Sequence, residues 1–261
     1  MTNCSNADPI RQRPPMDSST PVESPTPRSI TEDSFDFIFP EFIRRRSLDF
    51  WTPIEVARRA AEFLAPEPDA RVLDVGSGVG KFCIVGAAMT GASFSGVEQR
   101  ANLVEIAKTA AREFQISRVD FTVGTIEDID WCQFDAFYLF NPFEENVFAN
   151  HGALDRSVVL SEARFWADVA FVERKLARLP VGVRVATFHG FGGRIPPSYE
   201  LVAQHPLCGA VLRFWTKVSP KVMDDAGTLE ALMPPPILAP DESNPRVEKV
   251  LRAASVLGSD T

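Results

Sequence analysis

The chain is poor in the residues and runs that mark several protein classes. Its four cysteines, Cys4, Cys83, Cys132 and Cys208, are scattered and form no C-x-x-C pair. Neither a zinc site nor a disulfide framework is expected, and a reducing compartment is the default. The three histidines, His151, His189 and His205, show no metal-ligand spacing, so no metal is expected. No apolar run approaches the length that spans a bilayer, and the N-terminal MTNCSNADPI lacks the apolar stretch of a secretory signal. A cytoplasmic protein without a membrane partner is therefore expected. Positive charge is in deficit: 27 Lys and Arg stand against 35 Asp and Glu, a net charge of −8. A sequence-independent grip on nucleic acid needs many phosphate-neutralising cations, so nucleic acid is an unfavoured partner. The acidic balance suits a small molecule or a basic protein instead. Arg44-Arg45-Arg46 is the one basic cluster, read as a solvated helix face. There is no G-x-S-x-G elbow and no internal repeat.

What is present is an ordinary globular composition, 45% apolar and 24% charged over 261 residues. That length accommodates one large domain with tails. Residues 1–34 form the expected N-terminal arm. Up to about Thr31 it is rich in Pro, Ser and Thr without hydrophobic period, so it buries too little apolar surface to offset ordering. Residues 35–218 form the expected domain, opened by the aromatic-rich FDFIFPEFIRRRSLDFWTP. Residues 219–261 form a Pro-rich tail, with Asn244-Pro245 opening a short helix from Arg246 to Leu257.

Within the domain, Thr52 is expected to cap a helix over 54–64, with Pro53 in its first turn. Strand-like runs at 71–75, 93–97, 119–123, 134–140 and 181–188 alternate with helical patterns at 81–89, 100–114 and 155–178. Two final strands, 199–203 and 210–217, are joined without room for a long helix. The pattern predicts an α/β fold: a doubly wound, mostly parallel seven-stranded sheet with helices on both faces, ending in an antiparallel hairpin.

Residues 71–80 read RVLDVGSGVG, an extended run entering a turn at Gly76, Gly78 and Gly80, with a helical pattern from Lys81. Glycines let backbone take positive φ and approach a ligand closely. The helix start beyond offers unpaired N–H groups to an anionic ligand group. At the end of the next apolar run, GVEQR places Glu98 where a carboxylate can accept both hydroxyls of a ribose. A phosphate-cradling G-x-x-x-x-G-K-[ST] loop is ruled out, because its required positions hold Val75 and Phe82. A dinucleotide G-x-G-x-x-G turn is ruled out, because its third glycine would fall at Lys81.

The G-x-G-x-G spacing with Asp74 before it resembles the first motif of class I S-adenosylmethionine-dependent methyltransferases. Glu98 resembles the ribose-binding acid of their second motif. The resemblance spans approximately Phe35 to Val218, and the strand order, with a last strand inserted antiparallel, resembles the same family's sheet. It implies S-adenosyl-L-methionine as cofactor, held by Asp74, Gly76, Ser77, Gly78, Gly80, Glu98 and Gln99. It also implies Thr125 and Ile126, which follow the third strand, and Thr52, which precedes the helix that in this family commonly flanks the methionine moiety. Many family members carry an Asp where this chain has Thr125, to accept a hydrogen bond from the adenine amino group. Glu127, Asp128 or backbone groups are the replacements in view, unless the two acids are only solvated loop charges.

The fourth strand ends in FDAFYLFNPFEEN. Its Asn141-Pro142-Phe143 resembles a shortened Asn-Pro-Pro-Tyr/Phe motif of amino-group methyltransferases. There an amide oxygen and a proline carbonyl orient a nitrogen lone pair toward the methyl group, and a ring packs against the substrate. The other reading makes Asn-Pro a turn that ends the strand. His189, beyond the fifth strand, is a candidate base or a structural residue. The resemblance thus implies methyl transfer to nitrogen, with a protein side chain favoured by the acidic balance. The alternatives are a small-molecule acceptor enclosed under Phe35–Trp51, and a non-catalytic cofactor-binding module of the same fold.

Overall fold

A computed structural model describes residues 30–45, 51–147 and 157–220. The elements run α1 (Glu32–Asp36), α2 (Glu41–Arg44), α3 (Ile54–Leu64), β1 (Arg71–Val75), α4 (Lys81–Thr90), β2 (Ser93–Glu98), α5 (Ala101–Glu113) and β3 (Val119–Val123). A 3-10 turn, Trp131–Gln133, leads to β4 (Ala136–Phe140), α6 (Glu162–Arg178), β5 (Arg184–Phe188), β6 (Tyr199–Leu207) and β7 (Ala210–Lys217).

The central strands are apolar without alternation because both of their faces are covered. Side chains two apart share a face. Val72, Ala136, Tyr138 and Ala186 join a core with α3, α4 and α5. Leu73, Val75, Phe137, Leu139 and Val185 meet α6 on the other side. The sheet order is β3-β2-β1-β4-β5-β7-β6, with β7 antiparallel to both its neighbours. This is the mostly parallel, seven-stranded, doubly wound sheet with a terminal hairpin that the sequence predicts. Between β3 and β4 no long helix is present. Buried Trp131 fills that place, stacked on Phe137 at 4.8 Å with its Nε1–H donating to the Ile126 carbonyl at 3.0 Å.

Several boundaries differ from expectation, each for a local reason. The expected arm boundary at residue 34 falls inside α1, whose Thr31 and Ser34 form a reciprocal cap. Ile30, Phe35, Phe39 and Ile43 are buried against the α3–α5 core. Thr52 does not cap α3. Pro53 holds the cap position, Thr52 Oγ1 lies 3.2 Å from the Tyr138 hydroxyl, and the Ile54 N–H donates to Glu32 Oε1 at 2.5 Å. The same Glu32 and Asp36 pair with buried Lys81 on α4, tying α1 to the start of the glycine-led helix. Helix α6 begins at Glu162 rather than 155, because Ser161 Oγ caps it by accepting the Arg164 N–H at 3.2 Å. Strand β6 runs on to Leu207 through Pro206, which an edge strand tolerates.

Residues 1–29 and the expected helix 246–257 lie outside the described residues. Cys83, buried, and Cys208, exposed, are free thiols. Among the described residues no helix is long and apolar enough to cross a membrane, and no group of three or more His, Cys, Asp or Glu could hold a metal.

Candidate functional site

Strand order reverses at β1, which lies between β2 and β4, so a crevice opens beyond the carboxyl ends of these strands. The register puts Val75 level with Val97 and Leu139, so the three strands deliver their following loops to one place. Out of β1, the Gly76 and Ser77 N–H groups both bond the Val97 carbonyl at 3.0 Å. Gly76 and Gly78 have φ of +76° and +53°, a region where side chains are strained. A Cβ on Gly76 would also lie 2.9 Å from Pro142, and one on Gly78 would lie 2.6 Å from the Trp51 ring. The turn is therefore glycine because the loop after β4 and Trp51 press upon it. Gly80, also expected at the cofactor, is the N-cap of α4 and packs under Phe121.

Glu98 closes the turn from β2. Its Oε2 accepts the Gly78 N–H at 3.1 Å and its Oε1 the Arg100 N–H at 2.9 Å. Burial raises its pKa, opposed by those two bonds and by the Arg100 charge. Arg100 reaches across to Glu145 at 2.7 Å, joining the end of β2 to the loop after β4. Asp74 sits on the α4 side of β1, with the Cys83 thiol 3.7 Å from its Oδ2. Burial pushes its pKa up to about 8, with the Cys83 hydrogen bond lowering it and the Glu98 charge raising it. Its carboxyl is thus largely protonated at neutral pH.

Two adjoining hollows result. The larger, about 110 Å³, is lined by Gly76, Gly78, Glu98, Gln99, Thr125, Ile126, Asn141, Pro142 and Phe143 among others. The smaller, about 30 Å³, is lined by Thr52, Asp74, Ser77 and Lys81, and the two share Trp51, Gly76 and Phe140. Of the expected glycine-turn, Glu98–Gln99, Thr125–Ile126, Thr52 and Asn141–Phe143 residues, all but Gly80 line one or the other. Ser77 Oγ is buried without a hydrogen-bond partner among the described residues, and Ser77 lines the smaller hollow.

Asn141 ends β4 with φ of +43°, and its N–H donates to the Gly190 carbonyl at 2.8 Å. Asn tolerates this left-handed conformation better than most residues, but a following proline disfavours it. The backbone thus turns out of β4 at Asn141, which says nothing against a role for its side chain. The side chain is half-buried on the cleft, and among the described residues its amide has no hydrogen-bond partner. Phe143 is mostly buried in the α6 core, so the aromatic surface of the cleft comes largely from Trp51 and Phe140. His189 lines neither hollow. It stacks on Phe140 at 5.5 Å and packs edge-on to Phe188 at 4.6 Å, and His205 packs against Phe214 on the hairpin.

Arg100, Glu145, Asn146, Arg164 and Asp168 also line the cleft and were not anticipated. Asn146 Oδ1 accepts the Ser161 N–H at 3.3 Å, fixing the loop after β4 to the start of α6. Arg164 Nε bonds Asp168 Oδ2 at 2.9 Å, one helical turn along. The R-F-W-A-D spacing on α6 was the only sequence signal for that pair.

Residues 66–163 match the family described as "Methyltransferase domain". The fold is similar to that of an RNA methyltransferase from Salinibacter ruber in complex with S-adenosyl-L-homocysteine. The two are 20% identical with a TM-score of 0.50, over 66% of this chain and 97% of that one. TrmN from Thermus thermophilus is 18% identical with a TM-score of 0.48, over 68% of this chain and 52% of its own. No curated protein matches this sequence.

Proposed function

We propose that this chain, whose residues 66–163 belong to a methyltransferase-domain family and whose sheet is that of the class I enzymes, transfers a methyl group from S-adenosyl-L-methionine to a nitrogen. The observation that carries the cofactor is Glu98, a buried carboxylate docked on the Gly78 N–H at the mouth of the glycine turn. Each of its oxygens retains a lone pair for a ribose hydroxyl. The smaller hollow beside Asp74, Ser77 and Thr52 takes the methionine end, and Thr125 and Ile126 flank the base. Asn141 lines the larger hollow directly after Phe140, which both hollows share, and from there would face the transferable methyl.

In the transfer, the acceptor nitrogen's lone pair forms a bond to the methyl carbon as the carbon–sulfur bond breaks. The bonding pair passes to sulfur, which loses its positive charge, and the methylated nitrogen releases a proton to water. The task of the protein is to place the nitrogen in line, near ~3 Å from the methyl group. The Asn141 amide oxygen, unpartnered among the described residues, and the Pro142 carbonyl are the acceptors that would orient it. A protein side chain is the favoured source, on the net charge of −8.

A metabolite acceptor is the second reading, favoured by Trp51. That ring lies against Gly78 of the glycine turn, lines both hollows, and is held by its Nε1–H on the Ile43 carbonyl at 3.4 Å, so Trp51 anchored on α2 walls the cleft. Incubation with radiolabelled S-adenosylmethionine and size-fractionated cell extract decides between them. Label in protein supports the first reading and label in small molecules the second. Cofactor binding without label in any fraction leaves the non-catalytic module.

A further inference from the structure

An exocyclic amino group such as adenine's is a hydrogen-bond donor that a side-chain carboxylate can accept, and position 125 holds threonine rather than a carboxylate. The nearest acid in sequence is already committed. Asp128 Oδ2 accepts both the Thr125 N–H at 2.8 Å and the Thr125 hydroxyl at 3.0 Å. Neither Asp128 nor exposed Glu127 lines the cleft. A different carboxylate does. Asp168, one turn into α6, lines the cleft together with Thr125, Ile126 and Arg164, and lies within electrostatic reach of Glu127.

Its two oxygens are used unequally. Oδ2 accepts from Arg164 Nε at 2.9 Å, whereas Oδ1 is buried with no hydrogen-bond partner among the described residues. The residue is 5% exposed, so bulk water does not serve that oxygen. A buried carboxylate oxygen without a donor is costly, and such an atom beside a ligand cleft calls for a donor that the ligand brings. Burial raises the Asp168 pKa against the opposing Arg164 charge, consistent with a group still short of donors.

We propose that Asp168, reaching the site from α6, accepts the 6-amino hydrogen of the cofactor's adenine in place of the absent acid at position 125. This rests on the cofactor reading above. Arg164 fixes the orientation, because its Nε–H occupies one oxygen and leaves the other for the base. The specificity is then for an amino group against an oxo group at that ring position.

Asp168→Asn tests this through a reversal of preference. Arg164 needs an acceptor, so the asparagine turns its oxygen to Arg164 and presents its NH2 where the carboxylate oxygen stood. Binding of S-adenosyl-L-homocysteine and of S-inosyl-L-homocysteine, which carries oxo in place of amino, is measured by calorimetry on both proteins. The wild type is expected to prefer the adenosyl compound by about tenfold or more, and Asp168→Asn to lose or invert that preference. An unchanged ratio in the folded variant overturns the role of Asp168 while leaving the cofactor reading intact. A wild type that binds neither compound overturns both. Should Asp168→Asn not fold, Asp168→Ser is read in its place, with the ratio expected to fall towards one. A ratio unchanged there overturns the assignment equally.

Discussion

The Gly78 N–H and the Glu98 carboxylate meet at 3.1 Å, and this contact joins the two motifs that define the site. Glu98 therefore has a structural duty besides any ligand. Its oxygens satisfy two buried N–H groups, of Gly78 and Arg100. Glu98→Ala is expected to weaken S-adenosylmethionine binding by roughly 1.5–3 kcal/mol, and to lower stability by about 1–3 kcal/mol through the stranded donors. Glu98→Gln keeps an acceptor for only one of them and should fall between. Calorimetry and chemical denaturation on both variants check this. Unchanged affinity in a folded Glu98→Ala protein would remove Glu98 from the cofactor site.

Asp74 predicts a pH dependence of stability. Its folded pKa, about 8, lies above the ordinary carboxylate value, so the folded state holds a proton that the unfolded chain releases at lower pH. The unfolded state then binds fewer protons between the two values, and stability falls as pH rises through that window. Asp74→Asn removes the penalty. The variant should be more stable than the wild type at pH 8, by roughly 2–5 kcal/mol, and the gain should shrink towards pH 4. Urea denaturation at several pH values reads the difference, and equal slopes for the two proteins would show that Asp74 is solvated.

Segments whose structure is set within a few residues were readable from sequence. The runs 71–75, 119–123 and 210–217 match β1, β3 and β7: β1 is apolar because both its faces are buried, whereas edge strand β3 buries only Phe121 and is marked by its β-branched residues and bounding turns. The glycine turn and Glu98 were legible because their residue types and spacing follow from one ligand geometry. The short helices α1 and α2 were not. At five and four residues they cannot persist alone, and they exist because Phe35, Phe39 and Ile43 dock on the core. Thr52 has the composition of a helix cap, yet Glu32 reaches α3 from 22 residues away. Arg164 and Asp168 arrive at the cleft through packing of α6, and no local signal marks such a meeting.

Truncation should separate the two parts of the N-terminal region. Removing residues 1–29 is expected to leave melting temperature and cofactor affinity nearly unchanged, because that stretch has no apolar face to dock. Removing residues 1–36 also takes away Ile30, Phe35 and the Glu32 and Asp36 partners of Lys81. That loss should cost about 3–5 kcal/mol or prevent folding, because it opens the core and leaves a buried ammonium alone. Thermal melts of the two truncations test the contrast, and equal stabilities would show that α1 contributes no packing.

Asn141 carries the chemical proposal, and its backbone and side chain can be tested apart. Its φ of +43° suits glycine, so Asn141→Gly removes the amide while keeping the turn. Asn141→Ala removes the amide and also strains the backbone, and should be about 1 kcal/mol less stable than the glycine variant. If the amide orients an acceptor nitrogen, both variants should bind cofactor normally and lose about two orders of magnitude or more in the single-turnover methyl-transfer rate. A purely strand-ending role predicts otherwise: the glycine variant would turn over at a near-normal rate and only the alanine variant would suffer, through stability. His189→Ala is the control from the neighbouring strand. Its ring packs on Phe140 and Phe188 outside the cleft, so its removal should cost stability and leave the chemical step little changed. A large rate loss in His189→Ala beside a normal Asn141→Gly would move the chemistry to that strand end and favour base-assisted transfer to a hydroxyl.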